Sequence, residues 1–253
     1  MSNKFPIYII SKGRYDKTLT ADMFEKSGIN YLIAVEPQEY QQYCKKLGIN
    51  RVLKLPFSNL GLGSYPARNF CWEHAKLNGY KYHWLFDDNI RHIRKWINGK
   101  KQIIKNILES LNYIENYVVK NNIDIGGYEY STFSQKVPLR PFKHNCHVYS
   151  AMLIKNELTY RWRLKYNEDV DLCLQVLHNG GTTIASLYYT QDKVSTTVKM
   201  KGGNQDELYK NNAKEKKILK AKMLESVWPQ YAKTVIRFNR PHHFVDWKVF
   251  KKK

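Results

Sequence analysis

Asp87-Asp88-Asn89 is the sharpest chemical signal in the chain. The run Tyr82–Phe86 (YHWLF) reads as a buried strand, and it empties directly into two adjacent carboxylates. Neighbouring like charges raise one another's proton affinity unless a cation neutralises them. Hard oxygen donors suit Mg²⁺ or Mn²⁺, ions that commonly complete their shell with water and substrate phosphate. The plainer reading is a polar turn capping the next element. Asn167-Glu168-Asp169, with Asp171, forms a second acidic cluster at the start of an expected helix. Acids there also serve as caps and as favourable charges on the helix dipole. Two such clusters in a base-rich chain would together supply a metal ligand and a general base.

Two further segments suit an anionic ligand. Gly61-Leu62-Gly63 precedes Ser64, Ala67, Arg68 and Asn69, which open a helix. A glycine loop at a helix N-terminus can cradle phosphate, with arginine adding charge-assisted hydrogen bonds. Ser11-Lys12-Gly13-Arg14 follows the first strand and suits a nucleoside diphosphate in the same way. Glu36, after the strand YLIAV, is placed to hydrogen-bond a base or ribose, or to be an ordinary exposed acid. Asp192, at the end of a later strand, is a further candidate acidic ligand. His147 lies alone in a strand-like stretch and reads as structural.

The elements that must position these groups alternate. Lys4–Ile10, Tyr31–Val35, Val52–Leu55 and Tyr82–Phe86 read as strands, and Thr18–Ser27, Pro37–Leu47 and Ala67–Leu77 as the helices between them. Such alternation predicts an α/β sheet, parallel in its first half, with ligands bound beyond the carboxyl ends of the strands. Ser11–Arg14, Glu36 and Asp87–Asn89 all fall at such ends. In the second half the spacing predicts a strand over Ile90–Trp96, a long helix over Lys101–Val119, an aromatic β-rich stretch over Asp124–Arg163, a helix over Glu168–Leu177 and a strand over Ser186–Thr190. A loop over Lys193–Gln205, a lysine-rich helix over Asp206–Val227 and a basic, aromatic tail over Ile236–Lys253 complete the chain. No internal repeat or low-complexity linker breaks it. We therefore expect one domain over residues 1–204, with a basic helical and aromatic extension over 205–253 packed on it.

The chain has 253 residues, and 42 lysines and arginines against 22 aspartates and glutamates give a net charge of +20. That balance suits a polyanionic partner. Aromatics make up 14% of the residues, which excludes a disordered basic tail. Basic residues interleave with aromatics at Tyr160-Arg161-Trp162-Arg163 and through Arg237-Phe238 to Trp247-Lys248. Cations neutralise phosphates while aromatic faces stack on unpaired bases, although the same pattern arises from basic stems lying over buried rings. No apolar run reaches a membrane span, and the N-terminus lacks the features of a signal peptide. Cys44, Cys71, Cys146 and Cys173 are scattered with no CxxC pair, so neither a zinc site nor a disulfide framework is expected and a reducing compartment is the default.

The ordered set SKGR, VEP, LGLGSYPARN, WLFDDNI and NEDVD resembles the TET-associated glycosyltransferases of bacteriophages, over roughly Pro6 to Gly203. The resemblance implies a GT-A-like Rossmann-type mixed sheet flanked by helices. It also implies transfer of a sugar from a nucleoside-diphosphate sugar, UDP-linked by expectation, to 5-hydroxymethylcytosine or a related hydroxymethylpyrimidine in phage DNA. It puts Ser11, Lys12, Gly13 and Arg14 near the nucleotide, Glu36 near the base, and Arg68 and Asn69 near the diphosphate or sugar. Asp87 and Asp88 match its metal motif, with Asp88 preferred as the Mn²⁺ or Mg²⁺ ligand. Glu168 and Asp169 match its acidic pair, with Asp169 preferred as the base. Many GT-A enzymes add a C-terminal histidine to the metal; none occurs here between His178 and His242, which leaves Asp192 as a substitute. The implied acceptor is DNA with its base flipped or single-stranded, and the implied location is the cytoplasm of the infected host. The competing readings are a metal-dependent nuclease and a non-catalytic nucleic-acid-binding module.

Overall fold

The computed structural model describes residues 3–134, 136–194, 200, 202–203 and 213–251. Its first half follows the expected alternation: β1 (Ile7–Ile10), α1 (Leu19–Lys26), β2 (Leu32–Val35), α2 (Tyr40–Leu47), β3 (Val52–Lys54), α3 (Tyr65–Leu77) and β4 (Tyr82–Asp87). Pro37–Glu39 forms a 3₁₀ turn ahead of α2, so the helix begins later than the sequence predicts. β5 (Ile90–Ile97), β6 (Lys100–Ile103), α4 (Ile107–Lys120), β7 (Ile125–Tyr130), β8 (Phe142–His144), β9 (Ala151–Lys155), α5 (Glu168–His178) and β10 (Ile184–Lys193) follow. The C-terminal part holds α6 (Ala213–Val227) and the pair β11 (Ala232–Arg237) and β12 (Arg240–Val245).

The ten-stranded sheet has the order β3-β2-β1-β4-β9-β7-β10-β5-β6, with β8 on β10. β3, β2, β1 and β4 run parallel, and β9 is antiparallel to both β4 and β7. α1, α2 and α4 cover one face through Phe24, Tyr43, Leu111 and Ile114. α3 and α5 cover the other through Trp72, Ala75, Leu172 and Val176. The sheet is therefore mixed and flanked by helices, as expected. Among the described residues no helix is long and apolar enough to cross a membrane.

Two expectations are corrected. The predicted helix over Lys101–Val119 is instead β6 followed by α4. Asn98 and Gly99 both have positive φ, the geometry of a tight hairpin turn, and they send the chain back along β5. Asn106 then starts the helix, its side chain accepting from the Glu109 amide at 3.2 Å. Ile103 and Ile104 matched the helical stripe by spacing alone. The C-terminal extension is not helical throughout: its tail is a hairpin, turned at Phe238-Asn239. The 206–212 part of the predicted lysine-rich helix lies outside the described residues. Leu224, Trp228, Ala232 and Val245 pack on Val170 and Leu174 of α5, and Asn167 donates to the Lys220 carbonyl at 2.6 Å.

Candidate active site

The carboxyl ends of β1, β2 and β4 open into a cleft of about 240 Å³, closed on its far side by the loop before α3, the start of α5 and Lys193. Strand ends bring the expected groups together there. Ser11, Lys12, Arg14, Glu36, Arg68, Asp87, Asp88 and Glu168 all line it, together with Gly61, Gly63 and Ser64 of the glycine loop.

Arg68, on the first turn of α3, is the hub. Its Nη2 donates to Asp87 Oδ1 at 2.8 Å and lies 3.5 Å from Glu168 Oε1 and 3.6 Å from Asp169 Oδ1. Its Nε donates to Ser64 Oγ at 3.0 Å, and Ser64 Oγ donates to Glu168 at 2.7 Å. The guanidinium lies over the Trp162 ring, 4.7 Å from its centroid. Burial opposes its charge, but Asp169, Asp87 and Glu168 outweigh that and hold its proton affinity above the ordinary value.

Lys193 is the residue that sequence reasoning missed. Its ammonium donates to Asp87 Oδ2 at 2.5 Å and to Ser150 Oγ at 2.7 Å. Burial raises the Asp87 carboxyl, yet Lys193 and Arg68 outweigh it and hold the group well below the usual carboxylate range. Asp192, its neighbour, points elsewhere. Arg94 Nε donates to it at 2.5 Å, and it lines a separate cleft. It does not join Asp88, which corrects the expectation of a shared metal site. Successive residues of a strand face opposite sides, so Lys193 reaches the cleft while Asp192 meets Arg94; the β10–β5 ladder bulges here at Arg91 of β5.

Asp88 sits deeper than expected. Arg14 Nη1 pairs with its Oδ1, and Ser11 Oγ donates to its Oδ2 at 2.7 Å. The Ser11 hydroxyl also meets the Tyr43 hydroxyl at 2.6 Å, and Arg14 Nη2 donates to the Gly202 carbonyl at 3.0 Å. Asp88 thus ties the SKGR loop to β4. Asn69 is likewise a strap rather than a cleft residue, exchanging hydrogen bonds with both the carbonyl and the amide of Trp162. Gly13 donates its amide to Glu39 at 2.6 Å. Glu36 accepts from Lys12, Gln38 and the Asn59 amide; burial raises its carboxyl, but these donors leave it below its ordinary value.

The acidic start of α5 divides its labour. Asp171 is fully buried and structural, taking hydrogen bonds from Arg163, Gln175 and Trp228 Nε1. Asp169 Oδ2 accepts from the Ser150 amide at 3.3 Å, while Oδ1 accepts no hydrogen bond among the described residues. Burial, opposed by Arg68 and reinforced by Glu168 and Asp87, pushes its carboxyl up to about 7. A carboxylate of that basicity suits proton abstraction near neutral pH; its Oδ1 is buried behind the cleft lining, 3.6 Å from Arg68 Nη2.

A divalent cation would not find an all-protein cage, since among the described residues no three His, Cys, Asp or Glu side chains converge. The donor chemistry fits a cation shared with phosphate. Asp87 and Glu168 both reach the cleft and flank one guanidinium nitrogen, and one or two carboxylates plus phosphate oxygens are a common Mg²⁺ environment.

The family model of the TET-associated glycosyltransferases matches residues 5–203 of the sequence. The chain belongs to that family. The name of the family agrees with a cleft lined by Lys12, Arg14, Arg68 and Lys193, side chains that suit an anionic ligand. Two solved structures are similar in outline. One is from Desulfovibrio desulfuricans G20, and its name assigns it to the nucleotide-diphospho-sugar transferases; it is 11% identical, with 69% of this chain and 77% of that chain covered at a TM-score of 0.38. The other is glucosyl-3-phosphoglycerate synthase from Mycobacterium tuberculosis, in complex with Mg²⁺ and UDP; it is 7% identical, with 95% and 86% covered at a TM-score of 0.49. No curated protein matches the sequence.

Proposed function

We propose that this glycosyltransferase moves a sugar from a nucleoside-diphosphate sugar, UDP-linked by preference, to the hydroxyl of 5-hydroxymethylcytosine or a related hydroxymethylpyrimidine in DNA. The observation that carries the reading is the Arg68 hub, which gathers Asp87, Glu168 and Asp169 beside a glycine loop at a helix N-terminus. The base and ribose of the donor lie toward Glu36 and Lys12, and the diphosphate toward the α3 N-terminus, where backbone amides and Arg68 meet it. Lys193 and Arg14 add positive charge as the leaving diphosphate gains negative charge. A divalent cation, Mg²⁺ or Mn²⁺, would be held by Asp87 and Glu168 and would supply further charge to the leaving phosphate. Asp169 Oδ1 takes the acceptor hydroxyl proton as the new carbon–oxygen bond forms and the bond to the diphosphate breaks.

A net charge of +20 fits the DNA acceptor, which neutral acceptors would leave without a purpose. A two-metal nuclease needs carboxylates that converge. Here Asp87 and Asp88 diverge, each onto its own cations, and the carboxylates that do gather, Asp87, Glu168 and Asp169, are drawn to the Arg68 guanidinium. A host-cytoplasmic setting follows from a phage DNA acceptor. Calorimetric titration with UDP, in Mg²⁺ and in chelator, tests the donor site. Binding that Arg68→Met abolishes supports it; a parent chain that binds no nucleoside diphosphate under either condition refutes it.

A further inference from the structure

The C-terminal hairpin breaks three rules of stability at one place, and the residues involved share one chemistry. Phe238 and Asn239 form its two-residue turn with φ of 50° and 55°. Asparagine accepts this left-handed backbone readily, but a bulky aromatic residue rarely does. The strained Phe238 side chain is also 86% exposed, with Ile236 beside it at 70%. Arg237 and Arg240 stand directly opposite one another across the ladder, a like-charge pair that weakens a hairpin. Local rules broken together at one exposed tip point to a functional surface.

The hairpin's mount is firm. Ala232 and Val245 at its base are buried against Leu224 and Trp228, and against Val170 and Leu174 of α5, the helix that begins with Glu168 and Asp169. Its stem passes α6 near Lys220, which lines the cleft; burial together with the nearby Lys220 and His242 holds the His243 imidazole neutral. Further out, Arg237 lies over the ring of the half-exposed Phe244, 5.4 Å from its centroid. An exposed aromatic tip between two arginines, held rigidly to the helix of the proposed base, matches a duplex nucleic acid. Phosphates relieve the arginine repulsion, and an apolar ring can enter between base steps.

We propose that the Phe238 tip is a wedge that enters the DNA stack beside the target nucleotide, with Arg237 and Arg240 on the flanking phosphates, and so holds the acceptor base extruded toward the cleft. The inference rests on the DNA-acceptor reading and adds the element that opens the duplex. Trp162, expected as a stacking face, cannot serve, because it is buried under Arg68.

The test uses the full chain and a duplex carrying 5-hydroxymethylcytosine next to 2-aminopurine, whose fluorescence rises on unstacking, alongside the same strand without its complement. Phe238→Gly suits the turn's backbone, so the hairpin persists. The expected result is a fluorescence rise with the parent chain that Phe238→Gly lacks, and a duplex-to-single-strand transfer ratio about tenfold lower in the variant. The double change Arg237→Gln with Arg240→Gln should make the log–log salt slope of duplex binding shallower by about 2. A Phe238→Gly chain with the parent's fluorescence rise and the parent's ratio overturns the wedge while leaving the acceptor reading in place. A parent chain that transfers sugar to neither form of DNA overturns both.

Discussion

Replacing Asp169 by Asn removes one proton-accepting oxygen and little else. In the parent, burial holds the carboxyl near 7, so its ionised fraction climbs about tenfold between pH 6 and pH 8. If Asp169 is the base, kcat/KM climbs by the same factor over that interval and levels off above it. Asp169→Asn should lower turnover by about 10² to 10⁴ and flatten that limb in whatever activity remains. Affinity for UDP should change little, because the asparagine keeps the shape of the side chain and Arg68 keeps its bond to Asp87. Stability moves in the opposite sense. The folded carboxyl binds its proton more tightly than an unfolded one, so the parent loses stability as the pH rises from about 4 to about 7. The Asn variant has no such proton to lose. It should gain on the parent across that window by up to about 4 kcal/mol, the energy of a three-unit shift. The assays are initial rates of transfer to hydroxymethylated DNA and urea unfolding, each from pH 5 to pH 9. An Asn variant keeping near-normal turnover with the parent's pH limb would refute the assignment.

Four further outcomes follow from the same contacts. Arg68→Met leaves Asp87, Glu168 and Asp169 without their shared cation and should cost about 3–5 kcal/mol at pH 8, with a smaller loss at pH 5 where Asp169 is already protonated, read by urea unfolding. Asp87→Asn should abolish the Mg²⁺ dependence of UDP binding, whereas Asp88→Asn, which unties Arg14 and Ser11, should weaken UDP binding equally with metal and with chelator; calorimetry in both conditions separates them. Gly202→Ala would put a Cβ against the Gly13 carbonyl and push the two loops apart, so it should raise the Kd for UDP with little change in Tm. Duplex DNA affinity should fall steeply with salt, and about six neutralised phosphates give a log–log slope near −5.

The first half of the fold was legible because three of its four strands end in a polar residue or cluster, and parallel alternation sends those ends to one edge. That placed Ser11, Glu36 and Asp87 in one cleft before any coordinates. The second half resisted because its signals are degenerate. Ile103 and Ile104 fit a helical stripe as well as a strand end, and only the Asn98-Gly99 turn decides between them. Lys193 was hidden for two reasons. One lysine among 42 basic residues carries no signal, and the sequence alone does not say whether Asp192 or its neighbour Lys193 faces the cleft. Trp162 shows the limit of composition: a basic and aromatic run describes a buried ring under Arg68 as well as it describes a stacking surface.

The most direct test of sugar transfer to a modified base in DNA is a screen of sugar nucleotides against hydroxymethylated duplex and single-stranded DNA, unmodified DNA and free 5-hydroxymethylcytidine, read by nucleoside mass spectrometry. A hexose-sized mass gain confined to the hydroxymethylated base in DNA, with rates that fall as salt rises, is the result expected. Transfer to the free nucleoside as fast as to DNA and indifferent to salt, or no transfer from any sugar nucleotide, would contradict it.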